Sequence, residues 1–248
     1  MVEVERTDFV AVPVSDLGRA DEFYGQALGL ARNPTSSGER WIEYETGNLT
    51  LGLSTFGGGI ALRVPDVAEG RRKLEQAGAE FRMDTFDSGV CHGAPFTDPD
   101  GNRLLLHRRY APSERFDPPA TRVERTDFVG VNVTDRSRAG EFYGGVLGLE
   151  RNALSSDEWP EYEAGNVGFV LSTPEQKGGG DFSPEVSVAL RVADVAAAMG
   201  GLRAAGIEFE FDDVYDSGVC HMAFFRDPDG NAFMLHRRYA PYPDGSTP

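Results

Sequence analysis

The sequence predicts an α+β fold made of about four tandem βαβββ units, and three observations carry that expectation. The chain repeats itself: VERTDFV at 4–10 returns at 123–129, EFYG at 22–25 at 141–144, SGVCH at 88–92 at 217–221, and LHRRYAP at 106–112 at 235–241. Within each copy, short runs rich in β-branched and aromatic residues alternate with two stretches of helical spacing. Gly, Asp and Pro punctuate those runs, most plainly in DPDGN at 98–102 and 227–231.

In chain order, residues 9–14 (FVAVPV) read as a strand. Asp16 can cap a helix in which Ala20, Phe23, Tyr24, Ala27 and Leu28 recur at helical spacing, with Gly29 to end it. Residues 41–45 and 49–54 read as strands around the turn Thr46-Gly47-Asn48. A strand over 60–64 follows. Asp66 then opens a second helix with Val67, Leu74 and Ala77 on its apolar face and Gly78 at its end. Strands over 80–86, 90–96 and 103–108 close the copy, the last two joined by DPDG. The copies lie 119 residues apart at first, 118 near the Trp and 129 at the end. The second has therefore lost one residue and gained about ten in 173–185, a stretch that reads as a surface loop.

The domains expected are 1–112 and 122–242, with a polar, Pro-rich linker at 113–121 and a tail at 243–248. With 248 residues each copy has a comfortable domain size. The formal charge of −16, from 40 acidic and 24 basic residues, argues against a nucleic-acid partner, which needs basic side chains against phosphates. It argues equally against a membrane-surface role, and no run approaches the roughly 18 apolar residues of a membrane span. Two Cys, no disulfide framework and no apolar leader in MVEVERTDF fit a reducing, cytoplasmic setting.

Four motifs in order, present twice, resemble the vicinal oxygen chelate superfamily of glyoxalase I, bleomycin-resistance proteins and extradiol dioxygenases. They are V-S-D or V-T-D (14–16, 133–135), F-Y-x-x-x-L-G-L (23–30, 142–149), A-L-R-V-x-D-V (61–67, 189–195) and DPDGN. The resemblance covers nearly all of both copies. It implies two domains of paired βαβββ units whose mixed sheets curl into cups around a ligand. In its enzymes it also implies a divalent metal held by His and Glu. The metal positions of the family fall on Phe9, near Gly52, near Gly59 and on Leu105. In the second copy they fall on Phe128, near Val170, near Ser187 and on Met234. None is a His or a carboxylate, so the expected cofactor is none.

By alternation along the strands, His107 shares a face with Leu105 and Arg63 with Gly59 in the first copy, and His236 with Met234 and Arg191 with Ser187 in the second. The expected lining is apolar with an aromatic floor and a few polar groups, which suits an organic ligand. The candidate binding residues are Phe9, Trp41, Arg63, His92, Leu105, His107 and their counterparts Phe128, Trp159, Arg191, His221, Met234 and His236. Each has a plainer reading. His107 and His236 are ligand-binding or proton-moving groups, or strand-end residues kept by duplication. Cys91 and Cys220, each followed by His, read as structural thiols, because no activating base is visible beside them. A metal site rebuilt on His92 and His107 lacks further ligands. Glu43, Glu45, Glu161 and Glu163 read as the solvent face of a strand or as carboxylates in the site. Trp41 and Trp159, on the carboxylates' side by parity, either stack on a planar ligand or pack the core.

The function expected is metal-free binding, sequestration or resistance included, of a hydrophobic or aromatic small molecule. The alternative is a divergent lyase, isomerase or oxygenase using a non-standard metal site or His/Glu acid–base chemistry. Fusion of two copies predicts a monomer with pseudo-twofold symmetry, since it makes the pairing intramolecular, with a higher oligomer as the alternative; whether each copy forms its own cup or the copies exchange units stays open in the sequence.

Overall fold

The computed structural model describes residues 1–81, 83–177, 179 and 181–247. Parts of the expected strand 80–86, loop 173–185 and tail 243–248 lie outside the described residues. The first repeat runs β1 (Arg6–Pro13), α1 (Leu17–Asp21), β2 (Ala31–Asn33), β3 (Trp41–Glu45) and β4 (Thr50–Ser54). It continues with β5 (Gly59–Arg63), α2 (Val67–Gln76), β6 (Phe86–Asp87), β7 (Cys91–Thr97) and β8 (Arg103–Arg109). The second matches it with β9 (Val123–Asn132), α3 (Arg136–Gly140), β10 (Glu150–Arg151), β11 (Glu161–Glu163) and β12 (Gly168–Ser172). Then come β13 (Val186–Val192), α4 (Val195–Ala204), β14 (Tyr215–Asp216), β15 (Cys220–Arg226) and β16 (Ala232–Arg238). The α+β expectation holds: there are two mixed eight-stranded sheets, ordered β2-β3-β4-β1-β5-β8-β7-β6 and β10-β11-β12-β9-β13-β16-β15-β14. Each repeat therefore supplies two βαβββ units, four in all.

Local chemistry explains the elements. Asp16, Asp66 and Asp194 sit in extended backbone and accept from the amides of Arg19, Glu69 and Ala197 at 3.0, 2.9 and 2.8 Å. Each satisfies an amide that the first helical turn leaves free. The expected first helix is present but changes type along its length. After Asp21 and Gly140 it continues as π-helix over Glu22–Ala27 and Glu141–Val146. Two further differences concern strands. The short β2 was not visible, because three residues carry too little periodicity. The strand expected over 80–86 reduces, among the described residues, to a bridge at Phe81 and the two residues of β6.

The chain forms two compact units: residues 1–11, 58–114 and 130–186, and residues 12–57, 115–129 and 187–248. Each unit thus combines segments of both repeats, and the repeated motifs show how. In the first unit, the Tyr143 hydroxyl of EFYG donates to Asp98 Oδ2 of DPDGN at 2.9 Å. Asp98 Oδ1 also accepts from the amides of Asp100 and Asn102, at 2.9 and 2.8 Å, around the left-handed Gly101 (φ 88°). In the second unit, Tyr24 donates to Asp227 Oδ2 at 2.7 Å. Both tyrosines are fully buried, and burial together with the facing carboxylate pushes their hydroxyls well above the ordinary value. DPDGN is thus a buried joint as well as a turn. Among the described residues no helix is long and apolar enough to cross a membrane.

Candidate functional site

Helix α2 packs on one face of β8 and β7, with Gly70 against Leu106. Alternation puts Leu105 and His107 on the other face. Parallel pairing sets Ala61 beside Leu105 and Arg63 beside His107, and antiparallel pairing sets Gly93 opposite His107. The expected grouping of Phe9, Arg63, Leu105 and His107 is therefore present. The Phe9 ring stands edge-on to the His107 imidazole, with centroids 5.2 Å apart.

A carboxylate that strand parity hides completes the group. The β1–β5 register shifts between Thr7 and Phe9, so Thr7 faces Leu62 while Phe9 faces Ala61. Asp8 is the extra residue of this bulge. Its side chain reaches Phe9's side: Asp8 Oδ2 lies 2.6 Å from His107 Nδ1, and Asp8 Oδ1 pairs with Arg63 Nε at 2.8 Å and Arg6 Nε at 3.2 Å. Cys91, two residues before Gly93 on β7, faces the same way and shares a hydrogen bond with His107. Ser88 Oγ lies 3.1 Å from its Sγ.

The second unit repeats the arrangement. Asp127 Oδ2 lies 2.6 Å from His236 Nδ1, Arg191 Nε pairs with Asp127 Oδ1 at 2.6 Å, and the Phe128 ring stands 5.2 Å from His236. Cys220 shares a hydrogen bond with His236, and Met234 follows Leu105's place beside Ala189. The access differs. Opposite His107 stands Gly93, but opposite His236 stands Met222. Cys91 is half-buried and Cys220 is buried.

Electrostatics bind each group. Burial alone would push His107 down, but the hydrogen bonds and charges of Asp8 and Cys91 outweigh it and lift its pKa to about 9. His236 is raised to about 9 by the same balance with Asp127 and Cys220. Burial works to raise Asp8, yet His107, Arg63 and Arg6 hold its carboxyl below the usual range. The two imidazoles are thus cationic at neutral pH and carry a proton they can give up.

The other candidates lie elsewhere. His92 and His221 are exposed at strand ends, against the Tyr110 and Tyr239 rings and 3.5 and 3.8 Å from Asp87 and Asp216. Alternation turns His92 away from His107, so the structure does not bring that pair together. Trp41 keeps its expected side. Its indole lies over Gly52, where a Cβ would strike the ring, and donates to Glu43 Oε1 at 2.8 Å. Trp159 departs from the parity expectation. Pro160 follows it, β11 begins only at Glu161, and Trp159 is 42% exposed. Glu45 is engaged by Asn33 and Thr50 at 3.0 and 2.9 Å. Glu161 lies over Gly168, and Glu163 is exposed at the end of β11. Two open grooves, lined by Arg136, Glu158 and Gln176 and by Phe23, Phe209 and Arg226, contain no member of either His–Asp group.

The residues at the expected metal positions do not fit a metal. Phe9 packs on His107, Trp41 covers Gly52, and Leu105 lies between Ala61 and Pro95. These offer no nitrogen or oxygen donor, and no group of three His, Cys, Asp or Glu suited to a metal occurs among the described residues.

Comparison with known proteins agrees with this fold. The family model described as "Glyoxalase/Bleomycin resistance protein/Dioxygenase superfamily" matches residues 6–106 and 125–235. Among solved structures, the Mn(II)-bound glyoxalase from Novosphingobium aromaticivorans is 16% identical, with a TM-score of 0.68 over 95% of this chain and 83% of that one. The 2,3-dioxygenase LapB from Pseudomonas sp. KL28 is 16% identical, with a TM-score of 0.67 over 100% and 97%. The homoprotocatechuate 2,3-dioxygenase from Arthrobacter globiformis is 20% identical, with a TM-score of 0.67 over 99% and 84%. No curated protein sequence matches the chain.

Proposed function

Because the chain belongs to the glyoxalase/bleomycin resistance protein/dioxygenase superfamily yet carries no His or carboxylate at the positions where the resemblance puts that family's metal ligands, we propose that it binds a small hydrophobic or aromatic molecule without a metal of its own. One observation carries this reading: the duplicated His–Asp–Arg group set beside an aromatic ring, in Phe9, Asp8, Arg63 and His107 and again in Phe128, Asp127, Arg191 and His236. Phe9 and Leu105 supply apolar surface, while imidazolium and guanidinium outnumber the one carboxylate between them. That balance suits a planar ligand bearing an anionic or hydrogen-bond-accepting group. The proposal extends to a monomeric chain in a reducing cytoplasm, where the free thiols of Cys91 and Cys220 persist.

Thermal unfolding against a panel of aromatic carboxylates, phenols and their uncharged analogues tests the reading. A bound member raises the midpoint in a concentration-dependent way. The rise is expected to be largest for the anionic compounds and to shrink in Arg63→Gln. A panel that leaves the midpoint unmoved overturns it. Acid–base catalysis at the same group is the second reading, favoured by the proton that His107 holds at neutral pH. It predicts turnover of a carbonyl substrate that His107→Gln and His236→Gln abolish.

A further inference from the structure

A cysteine reacts as its thiolate, so a nucleophilic one needs a proton-accepting or positive neighbour and a route to solvent. Cys91 has both. It shares a face of the β7–β8 pair with His107 and interacts with it, and Asp8 Oδ2 lies 2.6 Å from His107 Nδ1. Thiol, imidazolium and orienting carboxylate stand together as they do in thiol catalysts of unrelated folds. We propose that Cys91 is a nucleophilic thiol, activated by His107 and Asp8, that forms a thioether with soft carbon electrophiles of the α,β-unsaturated carbonyl class.

The step balances within the site. Sγ attacks the β-carbon of the ligand as the thiolate of a Cys91–His107 ion pair, in which the imidazolium carries the thiol's proton. The carbon–sulfur bond forms as the carbon–carbon π bond breaks, and its electron pair passes into an enolate. His107 then returns the proton to the α-carbon. The net change is addition of S–H across the double bond, with no external oxidant or reductant. The groups facing Cys91 are His107 and Arg109 from β8, Ser88 from the preceding turn and, farther off, the Tyr110 hydroxyl. Arg63 and Asp8 reach it through His107. Burial pushes the thiol up, but His107, Ser88 and Arg109 outweigh it and hold it below the ordinary thiol range.

The second repeat supplies an internal comparison. Cys220 also meets a His–Asp pair, but it is buried and Met222 stands on its own face two residues on, where the first repeat has Gly93. The two thiols therefore share partners and differ in access.

The proposal uses the place named under the binding reading but not its ligand, so the probe is N-ethylmaleimide. The intact protein is alkylated with a deficit of reagent between pH 5.5 and 9, and the peptides are quantified by mass spectrometry. Cys91 is expected to react at least about ten-fold faster than Cys220 at pH 7, with a rate midpoint below the free thiol's value of about 8.5. His107→Gln should slow Cys91 about ten-fold at pH 7 and return the midpoint to the ordinary range. Asp8→Asn gives the same direction should His107→Gln fail to fold, and the wild-type pH profile decides without either. Cys91 reacting no faster than Cys220, or with an ordinary midpoint, overturns the proposal. A silent ligand panel with this labelling pattern refutes only the binding reading. A ligand-dependent midpoint with ordinary labelling refutes only the thiol.

Discussion

Replacing Asp127 with Asn removes the carboxylate that keeps His236 protonated, and its cost should depend on pH in a defined way. His236 is 7% exposed, and burial alone would push its pKa down. The hydrogen bonds of Asp127 and Cys220 lift it instead to about 9 from 6.5. A shift of about 2.5 units at about 1.36 kcal/mol each is about 3 kcal/mol. Because the folded value lies above the unfolded one, this stability is fully present below pH 6.5 and is lost as pH rises through 9. The loss in Asp127→Asn should be larger at pH 6 than at pH 9.5 by up to about 3 kcal/mol, the part due to the Arg191 pair remaining at both. Urea unfolding at the two pH values, followed by far-UV circular dichroism, measures the difference. The His107–Asp8 pair stays intact in this variant and fixes the baseline. An equal loss at both pH values would refute the reasoning, because Asp127 would then act through packing or shape and not through the imidazolium.

Three further outcomes follow from the same geometry. Tyr143→Phe leaves the buried Asp98 carboxylate with one donor fewer and should cost about 1–3 kcal/mol in urea unfolding, with a change under about 0.3 kcal/mol counting against the joint. Gly52→Ala drives a methyl into the Trp41 indole and should destabilise by about 1–3 kcal/mol while altering the near-UV dichroism of that tryptophan; an unchanged spectrum would show that the ring does not lie there. Asp66→Ala removes the cap of α2 and should cost about 1 kcal/mol, read as a lowered unfolding midpoint.

Much of the fold was legible because its signals are local. The Asp caps, the Gly ends of the helices and the DPDG turn each act within four residues, and the repeat doubled every one. The mixing of repeats within a compact unit was not legible, since Tyr143 and Asp98 stand 45 positions apart and nothing in EFYG or DPDGN alone says that they meet. Parity ties His107 to Leu105 and Arg63 to Gly59, and only the positions implied by the resemblance bring those strands and Phe9 to one group. Asp8 was missed because parity assumes an unbroken pleat, and the bulge at Thr7–Phe9 breaks it. The one available sign was its verbatim return as Asp127 in VERTDFV. Trp159 failed for the related reason that Pro160 ends the strand on which its side was counted. The partner of Cys91 was invisible because it lies 16 residues on, across a strand pair whose register the sequence does not state.

The two repeats now separate into what holds the site and what covers it. The Asp–His distance is 2.6 Å in both, the Phe–His ring spacing is 5.2 Å in both, and both imidazoles are lifted to about 9. A buried charged pair loses several kcal/mol when one partner goes, so its geometry tolerates little change. The covers obey no such constraint. Gly93 leaves room that the Phe86 ring overlies, whereas Met222 places a flexible thioether opposite the second imidazole. The first site is thus covered by an aromatic ring and the second by a thioether chain. Two sites of equal chemistry and different covers should therefore bind with different affinities, and Met222→Gly should raise the affinity of the second site and speed the reaction of Cys220 relative to Cys91.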